Sequence, residues 1–95
     1  MKFYKNKATK YHPSIEIDYD SKSWKNLELT QSPTKKKKYI ELIDNPNPNS
    51  KKKSFVRKYI RNDPIRTRGE LLKKYRLSEE DLQQIEKFLS EHKKS

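Results

Sequence analysis

Ile15, Ile17 and Tyr19 alternate with Glu16 and Asp18, the period of two that buries one face of a strand. Asp20-Ser21-Lys22-Ser23 then marks a turn. Between Trp24 and Thr30, Leu27 and Leu29 share one face and Glu28 takes the other. The two segments predict an antiparallel hairpin. Ser32-Pro33-Thr34 breaks the chain, and a third extended segment runs from Lys35 to Ile43. The loop Asp44–Ser50, with two prolines and three asparagines, has little access to regular structure. Ser54 to Arg61 is rich in aromatic and β-branched residues and predicts a fourth strand, paired with the third and ended by Asn62-Asp63-Pro64.

The last third carries helix signals. Thr67 followed three residues later by Glu70 is a capping box, with Leu71, Leu72 and Tyr75 as a short apolar face. Ser78 followed by Glu79, Glu80 and Asp81 opens a second helix with a cap and acids suited to the helix dipole. Leu82, Ile85, Phe88 and Leu89 form its stripe. Residues 1–10 are lysine-rich without periodicity and predict a flexible basic tail, anchored at most by Phe3 and Tyr4.

The predicted fold is α+β in a single domain over residues 11–95. An antiparallel sheet of about four strands is followed by two C-terminal helices packed on one face. Leu82, Ile85 and Leu89 would pack on Ile40, Leu42 and the hairpin, with Trp24 closing an edge. An SH3-like barrel with a helical appendix is the alternative.

Composition narrows the core. The 95 residues are 29% hydrophobic and 39% charged, with mean hydropathy −1.36, close to the range in which chains stay disordered. The 11% of aromatics and the patterning argue for a folded domain with a small aromatic core. Absence of cysteine excludes disulfides and thiolate chemistry. No apolar run approaches the roughly 20 residues of a membrane span, so a cytoplasmic protein without a membrane partner is expected.

Charge is confined. Lys35 to Arg76 holds fifteen of the 24 Lys/Arg and four of the 13 Asp/Glu, an excess equal to the whole formal charge of +11. All five arginines lie there. Such confinement suggests one surface for one polyanion. In the fourth strand, alternation sets Phe55, Arg57, Tyr59 and Arg61 on one face and Val56, Lys58 and Ile60 on the other. The first set could stack on bases and pair with phosphates. Alternatively, Phe55 and Tyr59 are core residues and the arginines reach around them. Lysine runs are commonly solvated charge that protects an edge strand, but lysines also grip phosphates without choosing bases.

The candidate nucleic-acid-binding residues are Lys36, Lys38, Tyr39, Lys51, Lys52, Lys53, Arg57, Tyr59, Arg61, Arg66 and Arg68, with DNA and RNA both open. The expected function is a small non-enzymatic nucleic-acid-binding protein. An interaction module that presents the Asn45–Asn49 loop to an acidic protein is the alternative.

No cofactor is expected. Asp18-Tyr19-Asp20 lacks the Gly and distal Glu of a calcium loop, and His12 and His92 have no metal-ligand spacing. A third possibility resembles small bacterial ribonuclease toxins. His12 would be the base, with Arg57, Arg61 and Tyr59 stabilising charge. The segment Thr67–Glu79 also resembles the first two helices of helix-turn-helix DNA-binding domains. In those domains the second helix enters the major groove by its N-terminal residues. Here these are Glu79, Glu80 and Asp81, which phosphates repel.

Overall fold

The computed structural model describes residues 1–93, without the side chains of Lys36 and Lys93. The alternating segments form strands where expected. β2 (His12–Tyr19) and β3 (Ser23–Thr30) pair antiparallel, with Ile15 opposite Leu27. Asp20 Oδ1 closes their turn by accepting the N–H groups of Lys22 and Ser23 at 2.7 and 2.8 Å. These bonds hold its carboxyl below the ordinary carboxylate value. β4 (Tyr39–Glu41) pairs with β5 (Phe55–Pro64), and β5 pairs with β3. β4 is shorter than the expected Lys35–Ile43 segment because Lys36–Lys38 turn in a 3-10 helix, and β5 runs through the Asn62-Asp63-Pro64 expected to end it because these residues pair with Lys25, Trp24 and Ser23.

Two strands arise where other structure was expected. Residues 1–10 are not simply a tail, because β1 (Phe3–Asn6) pairs with β2. Phe3 is buried on one face of the sheet and Asn6 on the other, which seats the strand despite its lysines. β6 (Arg68–Leu71) replaces the first expected helix and pairs with β1. The Thr67 hydroxyl donates to Pro64 O at 2.6 Å, and Glu70 reaches Lys5 Nζ at 3.4 Å. The capping box is therefore spent on other partners. Gly69 fits here because β6 approaches β1 closely: a Cβ would stand 2.7 Å from Lys5 O.

Among the described residues, the expectation of four strands and two helices is thus corrected to six antiparallel strands, in the order β4-β5-β3-β2-β1-β6, and one α-helix, α1 (Glu79–Lys93). With no α-helix over 67–77, the helix-turn-helix resemblance also falls.

Chain length forces this sheet to curl. β5 and β6 lie four strand spacings apart in order, about 19 Å if the sheet were flat. The link from Pro64 to Arg68 is a single 3-10 turn, Ile65–Thr67, which advances only about 2 Å per residue. The two strand ends can meet only if the sheet coils strongly. That coiling is the feature the barrel alternative shares, although no ladder joins the edge strands β4 and β6 among the described residues.

The apolar face of the sheet packs against α1. Phe3, Ile15, Leu27, Leu29, Ile40, Leu42 and Val56 form a buried cluster with Ile85, and Leu89 packs against it. Ser78 caps the helix, its Oγ accepting the Asp81 N–H at 3.2 Å. Asp81 does more than favour the dipole. Fully buried, it accepts the backbone N–H groups of Ile43 at 2.9 Å and Asp44 at 3.2 Å, fastening the loop after β4 to the helix. Trp24 does not close an edge, because it is fully buried on β3 in the interior of the strand order. No helix among the described residues is long and apolar enough to cross a membrane.

Candidate nucleic-acid interface

Cross-strand partners face the same side of a sheet, so the register assembles the second face. Asn6 stands opposite both His12 and Arg68, Glu16 opposite Asn26, and Asn26 opposite Arg61. Trp24 stands opposite Tyr19 and Asp63, and Tyr39 opposite Arg57. Alternation along β5 adds Tyr59. This face therefore carries Tyr39, Arg57, Tyr59, Arg61 and Arg68 together.

The β5 alternation resolves in favour of the exposed arrangement for Arg57, Tyr59 and Arg61, and in favour of the alternative for Phe55. Val56 and Ile60 belong with the core. Tyr59 is 54% exposed, and the Arg57 guanidinium lies 5.3 Å from its ring centroid. Phe55 is buried, and Lys58, between two inward residues, keeps its charge exposed at the margin of α1, beside Gln84 and Phe88.

Beneath the cations lies a layer of polar groups. Asp63 Oδ2 accepts from Asn26 Nδ2 at 3.0 Å, Asn6 Nδ2 at 3.2 Å and Arg61 Nε at 3.0 Å. Its Oδ1 accepts from Arg61 Nη2 at 3.0 Å. Asn6 Nδ2 also donates to Asn26 Oδ1 at 3.2 Å, and its Oδ1 accepts the Ala8 N–H at 2.9 Å. Asn6, Ser14 and Asn26 are fully buried, so one carboxylate ties β1, β3 and β5 together, and Asn6 Nδ2 reaches β2 through Ser14 Oγ at 3.4 Å. Burial disfavours the charge of Asp63, but the Arg61 bond and the two amides outweigh it and hold the carboxyl below its ordinary value. The same bond raises Arg61.

Two further carboxylates repeat the motif. Glu16 pairs with Arg68, which lies between the rings of Tyr4 and Tyr19, 4.8 and 4.7 Å from their centroids. That pair raises Arg68. Glu28 sits between His12 Nδ1 at 3.6 Å and Arg57 Nη1 at 3.8 Å. In each pair the acid is the more deeply covered member: the side chains of Glu16, Glu28 and Asp63 are 11, 18 and 9% exposed, against 24, 43 and 25% for Arg68, Arg57 and Arg61. Three guanidiniums thus meet three carboxylates. This face is oriented and aromatic but locally close to neutral.

Net charge comes from its surroundings. Lys38 lies just before β4, Lys51, Lys52 and Lys53 precede β5, and all four are exposed. Antiparallel pairing puts the two runs at opposite ends of the β4–β5 ribbon, separated by a strand of three residues, about 10 Å. Lys53 Nζ lies 3.5 Å from Glu41. The side chain of Lys36 lies outside the described residues. Arg66 is exposed on the turn between β5 and β6, and Arg76 caps backbone carbonyls at Lys73 and Tyr75.

The Asn-Pro loop is folded down rather than held out. Asn45 Oδ1 accepts the Asn47 N–H at 2.9 Å and Asn47 Oδ1 accepts the Asn49 N–H at 3.0 Å, while Pro46 is buried and its carbonyl accepts from Arg76 N at 3.1 Å. The loop walls a cleft of about 410 Å³ lined by His12, Leu29, Thr30, Asn45, Ser54 and Tyr75, among others. Ser54 is 1% exposed, and its Oγ has no hydrogen-bond partner among the described residues.

Sequence reasoning missed Glu16, Glu28, Asp63 and Asn6 as parts of this face. For Glu16 and Glu28 the signal was present: an acid on the polar side of each central strand must meet its cross-strand neighbour. No group of three or more metal-ligating side chains occurs among the described residues. Set against known protein families, curated proteins and solved structures, the chain matches none of them.

Proposed function

We propose that this protein binds nucleic acid through the face bearing Tyr39, Arg57, Tyr59 and Arg61, with unpaired strands as the favoured form. The observation that carries the reading is Tyr59: a ring more than half exposed on a sheet, with a guanidinium held against it. Aromatic rings on a sheet offer stacking to bases that have left a duplex. Carboxylates that fix the guanidiniums lower the entropy of presenting them. The lysines at both ends of the ribbon supply the backbone attraction that the neutralised arginines do not. α1 supports no groove-reading role, since its first turn is acidic.

The test is an electrophoretic titration with single-stranded DNA, single-stranded RNA and duplex DNA at several salt concentrations. Binding to single strands that weakens steeply with salt is expected. No binding at low salt ends the reading.

A second reading has one observation in its favour. His12 stands beside Glu28, which also contacts Arg57, so an imidazole, a carboxylate and a guanidinium converge as in acid–base cleavage of RNA. Incubation of RNA with the protein and with His12→Ala decides it: cleavage that persists in the variant removes His12 from that role.

A further inference from the structure

We infer that the cleft beside His12 receives one unstacked base of a bound single strand. This rests on the nucleic-acid reading above and extends it to a defined subsite. Three observations converge. First, the cleft's volume of about 410 Å³ lies within the range of roughly 300–1,000 Å³ typical of small-ligand sites. Leu29, Pro13 and Tyr75 give it apolar walls, and Thr30, Asn45, Asn47 and Ser54 give it polar groups. A base needs that combination of flat apolar contact and edge hydrogen bonds.

Second, Ser54 Oγ is buried without a partner, and buried hydroxyls in folded proteins are nearly always satisfied. Ser54 is among the residues that line the cleft, and rotation of its hydroxyl toward a ligand edge there supplies the missing bond.

Third, the cleft adjoins the stacking face at His12. His12 lines the cleft, its Nδ1 lies 3.6 Å from Glu28, and the other Glu28 oxygen lies 3.8 Å from Arg57. A nucleotide whose base enters the cleft therefore leaves its phosphate near His12 and Arg57 and its neighbour near Tyr59.

The walls are set before any strand arrives. Asn45 Nδ2 donates to Lys52 O at 2.8 Å, and Gln31 Nε2 donates to Ser50 Oγ at 3.3 Å, fixing the loop against the end of β3. Lys51 to Lys53 follow on the same loop and bring the backbone toward it.

Fluorescence anisotropy with labelled hexanucleotides at low salt tests the inference, in ribose and deoxyribose series. Each series includes a parent and single abasic substitutions at every position. One abasic position is expected to weaken binding about tenfold more than the others. Thr30→Trp, which fills the cleft, is expected to abolish that difference while leaving residual, salt-sensitive binding. A larger effect in the ribose series assigns the subsite to RNA. Equal effects assign it to unpaired strands of either sugar. Both outcomes support the subsite. If every abasic position costs the same, the cleft inference is overturned and the broader reading survives. If no hexamer binds at all, the broader reading is what has failed. Tyr59→Ala, which leaves the cleft lining intact, decides the matter even if Thr30→Trp does not fold: the position-specific abasic loss is expected to persist in it, and its disappearance would assign that base to the ring and overturn the cleft inference.

Discussion

The two faces of this sheet bury comparable depth by different means. On one, Ile15, Leu27 and Val56 are completely covered, with Ile85 of α1 packed on them. On the other, Asn6, Ser14 and Asn26 are just as inaccessible, yet Asn6 and Asn26 meet the carboxylate of Asp63 and the guanidinium that answers it, and Ser14 accepts from Asn6. The apolar face gains stability in proportion to area removed from water and tolerates exchange of similar volumes. The polar face depends on every donor meeting its acceptor, since a half-satisfied network costs more than an apolar core would. Such a network fixes geometry, and a fixed geometry is what a recognition surface requires. The comparison teaches that equal burial can mark a core on one side and a foundation for exposed side chains on the other.

The largest expected effect breaks that foundation. Asp63→Ala leaves Arg61, Asn26 and Asn6 without their shared acceptor, and should destabilise the fold by about 3 kcal/mol. Ile85→Ala should cost a similar amount, about 2–4 kcal/mol, through the cavity it leaves. Urea denaturation of the two variants compares the faces directly. A loss below about 1 kcal/mol in Asp63→Ala would show the polar layer to be incidental.

Acid should unfold the polar face selectively. Asp63 is held below its ordinary value of 3.8 in the folded state, so the unfolded chain takes up this proton more readily. Its stabilising contribution is complete above about pH 5 and drains as pH falls from there through the folded value. The stability lost between pH 5 and pH 3 should therefore be smaller in Asp63→Asn than in the parent chain. An unchanged acid loss would assign it to other carboxylates.

Gly69→Ala should cost about 2 kcal/mol, because the added methyl meets Lys5 O and pushes β6 from β1. Thermal melts measure it, and a neutral outcome would mean that the β1–β6 edge adjusts freely.

The smallest effect on stability, and the one closest to function, is Tyr59→Ala. An exposed ring contributes little to folding, within about 0.5 kcal/mol, yet its loss should weaken single-strand binding about tenfold.

The two faces were unequally legible in the sequence. The apolar face was written in alternation: Ile15, Ile17, Leu27 and Leu29 fixed the hairpin, and Ser78 with the Ile85 stripe fixed α1. β1 was hidden because four lysines between Lys2 and Lys10 surround only two inward residues, one of them a polar Asn6 whose partners lie 20 and 57 positions away. β6 was misread because Leu71, Leu72 and Tyr75 sit at helical spacing after a genuine-looking cap, while the 2.7 Å approach that requires Gly69 is a tertiary fact. Arg57, Tyr59 and Arg61 were correctly grouped by period, but their carboxylate partners depend on register across β2, β3 and β5. The cleft joins His12, Asn45, Ser54 and Tyr75, which no local pattern brings together.

The account turns on whether exposed rings over a neutralised arginine layer recognise unpaired strands. Parallel salt titrations of the parent chain and Tyr59→Ala against one single-stranded oligonucleotide measure this most directly. The account predicts a constant affinity gap of about tenfold at every salt concentration, because stacking is not screened, on top of a shared slope set by the lysines. Coincident curves would contradict it.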